Sequence, residues 1–69
     1  MLIIFTDVNN GNSVAVNPQH IVCVFTTKDE TTGLDTTVIN MLNGNVAVTE
    51  EYTEVVGRIQ SGQSGLSVK

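Results

Sequence analysis

Cysteine is close to absent. Cys23 stands alone in 69 residues, so no internal disulfide can staple the chain. Histidine is as scarce, with His20 the single copy. Cations are few as well: Lys28, Arg58 and Lys69 face seven acidic residues, for a net charge of −4. They lie far apart in sequence and form no basic patch, which works against attraction to nucleic-acid phosphates or anionic lipid. No apolar run is long enough to span a bilayer. No charged run precedes an apolar stretch with a small-residue cleavage site, so the expected setting is reducing and cytoplasmic, without a membrane partner.

These shortages empty most chemical inventories. His20 and Cys23 lie three apart in an extended run, where alternation sends them to opposite faces, so a nucleophile and base couple is disfavoured. The simpler reading is a turn-end histidine and a buried, inert thiol. DVNNGNS from Asp7 to Ser13 has the look of a calcium loop, but its glycine comes one place early and Pro18 stands where a bidentate Glu belongs. It is read as a turn. Glu50, Glu51 and Glu54 are accounted for by the positive end of a helix dipole without a cation. Neither Gly-containing turn has the context of a phosphate loop. The expectation is a protein that is not an enzyme, with no catalytic residues, metal or cofactor.

A chain this short buries only about 60% of its unfolded surface, leaving a core worth about 3 to 5 kcal/mol. Disulfides, metals and association are the usual supplements. With the first two disfavoured, the chain itself is the expected partner, in a homo-oligomer.

What is present is concentrated in TVINMLNGNVAVTEEYTEVVGRIQ, Thr37 to Gln60. Asn43-Gly44 is a strong hairpin signal because a type I′ turn needs φ > 0 at both central positions. Closing on it sets Leu42 opposite Asn45, Met41 opposite Val46 and Ile39 opposite Val48, with Asn40, Asn45 and Ala47 on the other face. After Val48 the period changes, and Tyr52, Val55, Val56 and Ile59 form one stripe of a helix over about 49–60. Thr49 is its expected N-cap and Arg58 its last-turn cation. Gly57, costly in a helix interior, predicts a close backbone neighbour.

Elsewhere, LIIFT at 2 to 6 is apolar on both faces and reads as an interior strand or one covered from both sides. SVAVN follows, and closing on Asn10-Gly11 brings Val14 and Val16 opposite Asp7 and Phe5. Asn17-Pro18 predicts a single helical turn or tight bend. IVCVFT, Ile21 to Thr26, is apolar on both sides and is expected at the centre of the sheet. Thr27 to Asp35 reads as an exposed loop, and 61–69, with Gly62 in place to stop the helix, as a flexible tail. The expected fold is therefore mainly β: about five short antiparallel strands in a bent sheet or a small SH3-like or Sm-like barrel, with one C-terminal helix, in a single domain over 1–60.

Two resemblances follow from these residues. The order of an N-terminal strand, an NG turn, VNPQHIVCVF and TTVINMLNGNVAVTEEYTEVVGRI resembles the FlbD/SwrD family of small flagellar and swarming-motility proteins. It implies a small cytoplasmic regulatory or interaction protein and brings no catalytic residues. MLII at 1 to 4 and VAVTEEYTEVVGRI at 46 to 59 are similar to the carbon storage regulator family of RNA-binding dimers. The places of that family's RNA-contacting arginines hold here Thr6 or Asp7 and Thr49, so RNA binding by that mechanism is not expected.

The sequence thus points to a self-associating interaction or regulatory module with an unidentified protein partner. An Sm-like or carbon-storage-regulator-like RNA binder is the alternative. Phe5, Phe25 and Tyr52 could stack bases, but each lies in an apolar run and is read as core.

Overall fold

A computed structural model describes the backbone of residues 2–67 and the side chains of residues 2–61. Five antiparallel strands, β1 (Ile3–Thr6), β2 (Ser13–Val16), β3 (Ile21–Lys28), β4 (Asp35–Met41) and β5 (Gly44–Val48), precede one helix, α1 (Tyr52–Ser67). The mainly-β reading holds. Strands β1 and β2 form one sheet and β3-β4-β5 another, and among the described residues they do not close into a barrel. A seam joins the sheets where β1 ends: Asp7 bridges Val48, Val8 N–H donates to the Ala47 carbonyl, and Thr49 N–H donates to that of Thr6.

Phe5, Val16, Ile39, Val48 and Val55 are fully buried, and Ile3, Val14, Ile21, Val24, Met41, Val46 and Ile59 pack around them. β1, β2, β4 and β5 contribute alternate residues and α1 contributes a stripe, as the two periodicities require, while β3 contributes Ile21 and Val24 on either side of an irregularity. Tyr52, expected in that stripe, is 43% exposed. It is the first residue of α1, where the chain has barely reached the core.

Both hairpins keep the expected faces and change register by two positions. Ile3 pairs with Val16 and Phe5 with Val14; Met41 pairs with Gly44, Ile39 with Val46 and Thr37 with Val48. In the second hairpin, Leu42 N–H donates to the His20 carbonyl and so points toward β3. Consecutive residues point their backbone groups to opposite neighbours, so Met41 closes the turn toward β5 and Leu42-Asn43 become its central pair. In the first, side-chain bonds set the loop: Asn9 N–H donates to Asp7 Oδ1 and Asn12 N–H to Asn10 Oδ1. Gly44 nonetheless keeps a φ of +147° with open space where a Cβ would lie. Gly44→Val is therefore expected to cost more than about 1 kcal/mol through backbone strain alone, read as a lower urea midpoint.

Three further expectations are corrected. IVCVFT is not central: β3 is the end strand, bonded only to β4 among the described strands. A strand apolar on both faces need not be buried on both. The helix starts after Thr49, whose N–H is taken by Thr6, and its first bond runs from Val55 N–H to the Glu51 carbonyl. It also passes through Gly62 to Ser67, overlapping the expected tail; residues 68 and 69 lie outside the described residues. Finally, a methyl group added at Gly57 would meet nothing within 4 Å. With no neighbour to accommodate, Gly57→Ala is expected to stabilise the chain by about 0.5 to 1 kcal/mol through helix propensity, checked by the same urea titration.

The turn at Asn17-Pro18 is as expected. Pro18–His20 form one 3-10 turn, with Asn17 Oδ1 accepting from Gln19 N–H at 3.0 Å.

Candidate interaction surface

Register decides what the three-stranded sheet presents on its far side. With Val24, Ile39 and Val46 facing the core, their neighbours Phe25, Val38 and Ala47 stand side by side facing out, cross-strand partners in turn. Val8, bonded through its N–H to Ala47, continues the row past β5. Four apolar side chains thus cross the sheet in a line. Phe25 and Val8 are 41% and 42% exposed. Directly opposite residues sit close enough to act as one contact surface.

On either side the surface is polar and uncharged. Thr27 and Thr36 flank the row on one side, and Cys23, Asn40 and Asn45 on the other. Asn40 Nδ2 lies 3.7 Å from Cys23 Sγ. Cys23 is exposed, not buried as the sequence implied. A bulge between Ile21 and Cys23 shifts the pairing there, leaving Val22 unpaired and 59% exposed. The bulge turns Cys23 outward and Val24 inward, a change of face that composition does not reveal.

Four acids gather near the Val8 end of the row. A shallow cleft of about 320 Å³ at the base of the β3–β4 hairpin is lined by Asp29, Asp35, Glu50 and Glu51 with threonines, Val8 and Leu34. A second of similar volume has Tyr52, Thr26 and Thr53 in its walls. Among the described residues, no group of three or more His, Cys, Asp or Glu side chains could hold a metal ion.

Glu50, two residues before α1, has a tertiary partner that the sequence did not imply. Its carboxylate accepts from both Thr6 N–H and Thr6 Oγ1–H at 3.0 Å, clamping the approach to α1 onto β1. Burial pushes this carboxyl up, but the backbone N–H groups of Thr6 and of Glu50 itself, the Thr6 hydroxyl and the nearby Arg58 charge outweigh it. The net pKa lies below the usual 4.5. Arg58, expected in the last turn, sits mid-helix. It donates to the Ile4 carbonyl at 2.8 Å and to Glu54, approaches Glu50 at 3.9 Å, and lies 5.6 Å from the centre of the Phe5 ring.

Searches against protein-family models, curated proteins and solved structures find no match to this chain. Among the described residues, no helix is long and apolar enough to cross a membrane. The outward row is what sequence reasoning misses, since the apolar run around Phe25 places that residue in the core. One signal is available: β3 opens the β3-β4-β5 meander, and the first strand of a meander is an edge unless another strand comes to it.

Proposed function

We propose that the protein is a non-enzymatic interaction module that works as a homo-oligomer, binding a copy of itself and a protein partner through its outward sheet face and the open side of β3. The observation that carries this is the uncharged row Phe25, Val38, Ala47 and Val8 on a chain whose net charge is −4. Copies of an acidic protein repel except where they meet through neutral surface, and the apolar row is such a place. The small buried core supports the same reading, because a chain of this size gains from covering its second face. Exposed Cys23 fits a reducing compartment, the cytoplasm. The resemblance to the FlbD/SwrD family, with its small regulatory or interaction proteins, agrees with this assignment.

The test is sedimentation equilibrium from micromolar to millimolar concentration, with thermal melts at both ends. The expected result is a mass above that of one chain and a melting midpoint that rises with concentration. A monomer throughout, with a fixed midpoint, would refute self-association.

The RNA-binding alternative is opposed by charge. Arg58 is engaged by Glu54, Glu50 and the Ile4 carbonyl, and the exposed aromatic Phe25 has uncharged neighbours. Generic RNA is expected to show no measurable binding in a gel shift at about 150 mM salt; sub-micromolar binding would reverse the choice.

A further inference from the structure

We propose that β3 pairs with β3 of a second copy, antiparallel about a twofold axis at Phe25, so that two three-stranded sheets become one of six. This deepens the self-association reading and rests on it. β3 has eight residues, about 26 Å of strand at 3.3 Å per residue, and lies at the end of its sheet. Such edges are normally guarded by charge, proline, a bulge or a covering element. Here the guards stand only at the ends, with the bulge at Val22 and a charge at Lys28. Between them Cys23 to Thr27 is regular and uncharged.

That stretch fixes the register. A twofold axis perpendicular to the sheet keeps outward side chains outward, so only residues an even number apart can come opposite one another. Pairing the whole of Cys23 to Thr27 then puts the axis at its midpoint. Phe25 meets Phe25 of the second copy, Val24 meets Thr26, and Cys23 meets Thr27. The bulged residue falls outside the pairing, where bulges end ladders. Across the new junction the rows of Phe25, Val38 and Ala47 from both copies join into one apolar strip.

Charge selects a second copy as the occupant. No acidic residue lies between Ile21 and Lys28, so two molecules of net charge −4 can meet along this edge without setting acid against acid. A strongly charged peptide would find no countercharge between Cys23 and Thr27. An edge contact of this length buries several hundred Å², on the order of the smallest specific interfaces, so it is expected to be weak and concentration-dependent.

Single-thiol cross-linking of the full chain tests the register. One variant is Cys23→Ser with Phe25→Cys, placing two thiols opposite each other across the axis. A second, Thr27→Cys with Cys23 retained, leaves Phe25 intact and offers two bridges between copies, each joining Cys23 of one to the thiol introduced at position 27 of the other. Within one chain those two sulfurs are about 13 Å apart along the strand, beyond disulfide reach. Each variant is checked for folding by circular dichroism, oxidised mildly with diamide, and run on non-reducing gels beside sedimentation. The expected result is a covalent dimer as the main product of both variants and none from the natural chain, whose Cys23 residues lie about 13 Å apart across the axis. Cross-linking of the natural chain as fast as the variants would overturn the Phe25-centred register. A sedimenting dimer that neither variant traps would overturn β3 pairing while leaving self-association standing. A monomer with no cross-link would overturn both.

Discussion

Phe5→Ala is expected to leave most of the chain unfolded at room temperature. Phe5 is fully buried and heads the few large side chains of the core. It pairs with Val14 across the first hairpin and carries the Arg58 guanidinium over its ring. Truncating a buried Phe costs about 3 to 5 kcal/mol, the size of the whole stability expected for so small a core. Phe25→Ala is the internal control. Its ring is 41% exposed on the opposite face, so the monomer should lose less than about 1 kcal/mol while self-association weakens. Urea titrations at low and high protein concentration separate the two effects. Equal losses for both variants at low concentration would contradict the assignment of faces.

The contrast between these phenylalanines marks the limit of what is legible in sequence. LIIFT and IVCVFT look alike, apolar on both alternating faces, and both read as interior. What separates them is topology. β1 is not interior either, since it pairs with β2 alone along its length and leaves Leu2 and Ile4 59% and 52% exposed, but it gains β5 at its end and buries Phe5, whereas β3 has β4 on one side only. Composition reports how apolar a strand is; it does not report how many neighbours the strand has. Hydrophobic alternation behaves similarly in the hairpins. It assigns Ile39, Met41, Val46 and Val48 to one face, but a two-position slip leaves every side chain on the same face. The pattern is blind to that slip, and the bond from Leu42 N–H to His20 decides it.

The helix shows the same division. Val55 and Ile59 follow from periodicity, and both pack in the core. The start of α1 depends on a contact 43 residues away in sequence, Thr49 N–H to the Thr6 carbonyl, which local capping rules cannot see. For Glu50 the local explanation, the helix dipole, is joined by a tertiary partner, Thr6, and Arg58 sits mid-helix, away from the last turn where the dipole would favour it. The outward row is hidden for a related reason: its members come from three strands and a turn, and they meet only once the register is set.

Glu50→Ala is expected to cost about 1.5 to 3 kcal/mol, the range for losing hydrogen bonds to a charged group that leaves a donor unpaired. The carboxylate takes both donors of Thr6, backbone and hydroxyl, and only 12% of its side chain is exposed. Glu50→Gln keeps an acceptor but not the charge, and should lose part of that amount. The two variants also differ from the natural chain in pH dependence. Because the folded-state pKa of Glu50 lies below its ordinary 4.5, the unfolded chain binds a proton there more readily than the folded one does. The stabilisation is therefore fully present above pH 4.5 and is lost as pH falls through the lowered folded value, since stability rises with pH wherever the unfolded state binds more protons. Urea titrations stepped through the acid range should show a steep loss in the natural chain and a shallower one in Glu50→Gln, with the curves converging at the acid end. Parallel curves would mean that the carboxylate contributes no charge-dependent stability and that the clamp on Thr6 acts through shape alone.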